Sequence, residues 1–192
     1  NPNTKLNWDA FLERLTIMAK TQHQLPWNQK EYTQQVKNIL LQCNFPEFEN
    51  VKKEMDTYEN KHPNKFEASS LHNEIDFQIT LFQFEKGEYI SHHDHPDMTG
   101  VINVVSGSAL LKNYTIEEQL TKPKKLFENG MEIYNNSCLI REIENEIAKA
   151  GDVSILTSHE GNIHSLMPNE FTQLVDVFHQ PIKQTPTQSG IP

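Results

Sequence analysis

From Phe77 onward the chain is a succession of short β segments, with no helical period of useful length between them. "FQITLFQF" alternates and is rich in aromatic and β-branched side chains. "GVINVV", "SGS" and "ALLKNY" read as strand, tight turn, strand, and "SCLIREI", "DVSILTS" and "TQLVDVF" as further strands. Many short strands with turns between them build a sandwich or a small barrel. The polar stretch "TIEEQLTKPKKLFENGMEIYNN" lies between strands and reads as an inserted loop or a solvated hairpin tip. Its acids offset its lysines, so it is not a basic binding patch.

The text before about residue 60 is helical. "LNWDAFLERLTIMAK" places Leu6, Phe11, Leu15 and Met18 at helix-compatible intervals, and "NQKEYTQQVKNILLQC" places Tyr32, Val36, Ile39 and Leu40 on one face. Pro26 separates the two. The expected division is therefore a helical extension over residues 1–60, packed on a β domain over 61–192.

Composition removes several classes of function. The net charge of -9 argues against nucleic acid or anionic lipid as partner, since both need clustered Lys and Arg. The apolar runs are too short to span a bilayer, and the N-terminus shows no apolar stretch of signal-peptide type. Cys43 and Cys138 form neither a framework nor a CxxC pair, which fits a reducing, cytoplasmic setting.

Chemistry concentrates in "ISHHDHPDMTG", residues 90–100. The segment follows Gly87 and leads into Pro96, as a strand end would. Side chains alternate across a strand, so His93 and His95 point one way and His92 and Asp94 the other. An H-x-H on one face is a pair of imidazole ligands suited to Fe, Zn, Cu or Ni. A third ligand should come from a distant strand, and "EGNIHSLMPNEFTQLVDVF" offers His164 between Ile163 and Leu166. If "SLMPNEFTQ" is a hairpin centred on Glu170, His164 lies directly opposite Asp176. A histidine and an acid pointing together into a barrel need a polar purpose, because an unpaired buried carboxylate is costly. The plainer alternative is a structural His–Asp hydrogen bond, which would be preferred if the H-x-H were absent.

These residues carry a resemblance. "GEYISHHDHPDMTGVINVVSG" resembles the first cupin motif at Gly87, His93, His95 and Gly107, with Gly100 at the motif's glutamate position. "GDVSILTSHEGNIHSLMPN" resembles the second, at Gly151, Gly161 and His164. "HDHPDM", "ILTSHEGNIH" and "LVDVF" together resemble the cysteamine dioxygenase and plant cysteine oxidase family, over roughly residues 75 to 181. The resemblance implies a mainly β cupin barrel, a jelly-roll-like double-stranded β-helix, with the helices as an N-terminal extension. It implies Fe(2+) held by three neutral histidines, here His93, His95 and His164, and a thiol oxidised by O2 to the sulfinic acid. The substrate would be a small aminothiol such as cysteamine, or a protein's N-terminal cysteine; the latter would make the enzyme an oxygen sensor. Asp176 then stands beside the ligands or faces the substrate, where it could receive an ammonium. Two other readings stay open: a cupin that binds metal or ligand without catalysis, and a different metal-cupin activity such as an isomerase or a Zn or Ni site.

The chain departs from the family pattern in places. The family's aspartate strand usually runs into Pro-Pro-Tyr, whereas here Pro181 is followed by Ile182. The family's tail with Cys and Tyr is replaced by "TPTQSGIP", and Asp97 stands where the family often has Gly. His159 reads as a residue of the turn before the third ligand and His179 as a loop residue. His23, His62 and His72 receive no role.

Overall fold

The structure, a computed structural model, describes residues 5–24, 26–45, 66–121, 124–128, 131–135 and 137–179. Two helices come first. α1 (Trp8–Ala19) begins where the Asn7 side chain accepts from the Ala10 N–H at 2.8 Å. α2 (Gln29–Leu40) begins where Asn28 does the same for Glu31 at 3.1 Å. Each cap satisfies an N–H that the first helical turn leaves without a partner.

The strands are β1 (Glu67–Asn73), β2 (Phe77–Phe84), β3 (Ile90–Asp94), β4 (Thr99–Ser106), β5 (Ser108–Gln119), β6 (Lys124–Glu128), β7 (Met131–Asn135), β8 (Cys138–Lys149), β9 (Val153–Leu156), β10 (Ile163–Pro168) and β11 (Thr172–His179). They form a five-stranded sheet in the order β1-β2-β11-β4-β9, a four-stranded sheet in the order β3-β10-β5-β8, and the separate pair β6-β7. The polar insert is thus a hairpin, β6 running against β7. β1 was not expected, since "EASSLHN" has no apolar alternation. Pairing with β2, Glu67 opposite Gln83 through Asn73 opposite Gln78, is what makes it a strand.

Alternation along the central strands separates two apolar layers. Val175 and Val177 of β11 pack with Ile79, Leu81 and Val101 beneath Phe11, Leu15 and Val36 of the helices. Leu174 and Phe178 point the other way and pack with Ile102, Leu111, Leu156 and Leu166 between the sheets. The helices therefore cover the outer face of the five-stranded sheet, and the expected helical faces are the buried ones. Phe11 is fully buried in that outer layer. Phe11→Ala should cost about 3–5 kcal/mol of stability. Metal bound per folded chain should stay unchanged; thermal melting combined with metal analysis would check both.

One expected pairing is wrong. β10 and β11 do not form a hairpin about Glu170, and His164 is not opposite Asp176. β10 pairs with β3 and β5, and β11 with β2 and β4, in the other sheet. The connecting segment is tied to the β4–β5 turn. The Asn169 N–H donates to the Ser108 carbonyl at 2.9 Å, and the Thr172 hydroxyl donates to it at 3.0 Å. Gly107 sits at this corner with φ +77, and a Cβ there would lie 2.2 Å from the Phe171 carbonyl oxygen. Only glycine fits such a close crossing. β4 and β5 likewise pass from one sheet to the other at this point. The boundary expected near residue 60, together with Pro181 and Ile182, lies outside the described residues.

Candidate metal centre

β3 and β10 are neighbours, and His93 pairs with His164 in their register. His164 shares the barrel interior with Leu166, two residues along the same strand. The two imidazoles meet with their Nε2 atoms 2.8 Å apart. His95 follows the end of β3 and completes the group. Ring centroids lie 4.8 Å apart for His93 and His95, 4.4 Å for His93 and His164, and 4.7 Å for His95 and His164. One nitrogen from each falls within 4.8 Å of the others; no other such group of His, Cys, Asp or Glu occurs among the described residues.

The tautomers suit a metal. His93 Nδ1 lies 2.8 Å from the Ser91 carbonyl, and His95 Nδ1 lies 3.4 Å from the Asn162 carbonyl. A carbonyl can only accept, so these nitrogens carry the protons and leave Nε2 as a lone pair. Burial, then the neighbouring rings, pushes His95 down to about 4 and His164 well below its ordinary value, so both are neutral at physiological pH. Two nitrogens bound to one ion at roughly 2.1 Å and at right angles would stand about 3 Å apart. The His93–His164 separation fits that, and the donor set fits a borderline ion such as Fe(II).

The loops on either side explain how the rings are held. His95 starts a turn closed by Met98 N–H to the His95 carbonyl at 3.0 Å. Pro96 takes its second position, and Asp97 its third with φ 59. A short acid tolerates this left-handed conformation. Asn162 clamps the other side. Its Oδ1 accepts from the His95 N–H at 2.9 Å, and its Nδ2 donates to the carbonyls of His95 at 2.8 Å and Thr157 at 3.1 Å. In the sequence Asn162 reads only as a turn residue ahead of His164. Asn162→Ala should weaken metal binding by about 10- to 100-fold, the usual effect of losing a group that orients a ligand. A metal titration of the folded variant would measure it.

Asp176 reaches the same interior from the opposite sheet. It alternates with Leu174 and Phe178, whose cluster also contains Leu166 of the His164 strand. It shares an interior with His164 across the barrel, not the face of one ladder as expected. Its Oδ1 is buried without a hydrogen-bond partner among the described residues, and burial pushes the carboxyl up to about 8. Phe178, the next residue on that face, stacks on His95 at 4.5 Å and 20°. His92 points away and meets Tyr114, as its alternation requires. His159 is exposed.

His179 is not a loop residue. It ends β11, is 1% exposed, and its Nε2 lies 2.7 Å from the Tyr32 hydroxyl of α2. Burial pushes the imidazole down to about 4 and raises the Tyr32 hydroxyl, so both are neutral and the O–H donates. Gln29 makes a second tie from α2: its Oε1 accepts from the Thr99 hydroxyl at 3.0 Å and from the Ser158 N–H at 2.9 Å. His23 pairs with Asp76 at 2.6 Å and His72 with Glu74 at 2.7 Å, away from the centre.

Two antiparallel sheets closed around one interior, with imidazoles from β3, its end and β10 gathered inside, define a metal-site cupin. Similar solved structures include KdgF from a Halomonas species, 14% identical, covering 63% of this chain and 83% of that one with a TM-score of 0.43. A Klebsiella pneumoniae protein with a double-stranded β-helix domain is 20% identical, covering 65% and 84%, with a TM-score of 0.42. A cupin-2 domain protein from Shewanella frigidimarina is 17% identical, covering 69% and 92%, with a TM-score of 0.39. No curated protein sequence matches the chain. The PCO_ADO family, that of plant cysteine oxidases and cysteamine dioxygenase, matches residues 29–189, and the chain belongs to it. The match begins at Gln29, the first residue of α2.

Proposed function

We propose that the chain is a non-haem Fe(II)-dependent thiol dioxygenase acting on a small aminothiol such as cysteamine or on a protein's N-terminal cysteine. The family supports a cupin of thiol dioxygenase type. The observation that carries the finer reading is the donor set: three imidazoles and no carboxylate in the group. His93, His95 and His164 would hold the ion through their Nε2 atoms. Bound Fe(II) supplies undiminished positive charge, which favours a thiolate over a thiol, and a redox path between sulfur and O2.

The reaction balances without a further reductant. R–SH and O2 give R–SO2H; both oxygen atoms end on sulfur, and the electrons O2 takes are those sulfur gives up. Asp176 is the group that would meet the amine of the substrate. Its Oδ1 has no partner among the described residues, and an ammonium beside it would hold it ionised and remove the cost of its burial. Ile102 and Leu174 pack around the same interior and limit water there. The free thiols of Cys43 and Cys138 suit a reducing, cytoplasmic setting; no helix among the described residues is long and apolar enough to cross a membrane. With an N-terminal cysteine as substrate, the same chemistry would report oxygen.

Aerobic incubation with Fe(II) and either cysteamine or a Cys-initiated peptide tests this. The product should gain the mass of two oxygen atoms. A protein that binds iron yet leaves both thiols unchanged would be a metal-binding cupin without this activity.

A further inference from the structure

Gly100 lies where the general cupin motif carries a glutamate, and the space beside it is filled. A Cβ built on Gly100 would lie 2.5, 2.8 and 2.9 Å from Cε1, Cδ1 and Cζ of the Phe178 ring. Carbon atoms in good contact stand about 3.5–4.0 Å apart, so no side chain enters at 100 unless this ring moves. The two residues are partners in the β4–β11 ladder. The same ring stacks on His95, 4.5 Å away and tilted by 20°. Phe178 is 8% exposed. The strands that carry the pair are anchored from outside: Thr99, next to Gly100, bonds to Gln29, and His179, next to Phe178, bonds to Tyr32.

We propose that Phe178 is a positioning residue of the metal centre. Its ring sets the plane of the His95 imidazole and fills the sector beside Gly100 from which a fourth protein ligand would project. The proposal rests on the reading of His93, His95 and His164 as ligands. It goes beyond that reading by giving Phe178 and Gly100 one joint task, for which neither residue is a metal ligand. An imidazole can be rotated about its bonds by small forces, and the Asn162 carbonyl at 3.4 Å is a loose restraint on it. A flat ring stacked on one face restricts that rotation. A glycine opposite leaves the ring room to lie flat.

The test is Co(II) binding to the metal-free protein, read by the visible spectrum of the bound ion, whose bands follow ligand geometry. Thermal melting and circular dichroism establish that each variant is folded. Phe178→Ala should bind Co(II) about 10- to 100-fold more weakly and with altered bands, as for other groups that orient a ligand. Phe178→Leu keeps apolar bulk, so it guards against misfolding, but it lacks the flat ring and should show the same spectral change. Gly100→Ala should reproduce the loss by pushing the ring off His95. The double variant should be no worse than Phe178→Ala alone, because the methyl enters the space the ring has left. Wild-type spectra and affinity in both Phe178 variants would overturn the proposal, and so would losses that add in the double variant. A folded wild-type protein that binds no Co(II) would overturn the three-histidine reading itself, and the role of Phe178 with it.

Discussion

His93→Ala, His95→Ala and His164→Ala will each lose the bound metal and all thiol oxidation while the barrel stays folded. One nitrogen from each of the three rings lies within 4.8 Å of the others, and two imidazoles offer no closed set for an ion. The loss should exceed the about 100-fold that removal of a supporting hydrogen bond costs. His93→Ala and His95→Ala remove side chains near the β3 edge, so their melting temperatures should change little. His164 is 2% exposed, and its removal leaves a cavity. His164→Ala should therefore melt lower, by an amount set by how far the barrel closes in. Metal analysis of the three variants, with the sulfinic acid assay beside it, decides the matter. Two variants that keep full metal and full activity would exclude this ligand set.

Asp176→Asn should separate metal binding from turnover. The substitution keeps the shape and removes the charge. Metal should stay, and turnover should fall by about 10- to 1,000-fold, equal to ~1.4 to 4 kcal/mol of transition-state stabilisation. The fall should be larger for thiols bearing an amine than for an amine-free thiol such as 3-mercaptopropionate. Equal losses would mean that Asp176 orients some other group, and loss of metal in step with activity would place it in support of the ligands.

The same variant should change how stability depends on pH. Burial pushes the folded carboxyl up to about 8. In the unfolded chain it ionises near 3.9. Between these values the unfolded chain has released a proton that the folded chain still holds, so stability falls as pH rises through that window. Asparagine has no such proton. In the metal-free protein, Asp176→Asn should therefore gain on the wild type as pH rises from 5 to 8. The gain should be on the order of 4 kcal/mol at the upper end, or about 8–16 °C in melting temperature. Parallel melting curves across that range would show that the carboxyl is not held buried and neutral.

Much of this molecule is written in short-range pattern. Period-two alternation marked β2 and β11, because one face of each strand is apolar whichever neighbours it finds. The spacing of His93 and His95 placed both rings on one side, because consecutive side chains on a strand take opposite faces. The helical faces of α1 and α2 were legible for the same reason, with a different period. None of these features depends on which strand lies next to which.

What depended on neighbours was decided by the tertiary structure. The pairing of His164 with Asp176 was drawn from one segment alone, and residues 169–172 turned to bond with Ser108 instead. That choice sent β10 and β11 to opposite sheets, and brought His164 beside His93 and Asp176 to the far wall of the same interior. β1 became a strand only because β2 offers it a ladder. His179 looked like a loop residue because its partner, Tyr32, is far away in sequence. Gly100 was legible only as a motif position without its glutamate, and Phe178 only as one apolar residue of its strand; the β4–β11 register sets one against the other, and the same ring stacks on His95. A sequence states which side of a strand a residue takes; burial of the whole surface at once decides what it meets there.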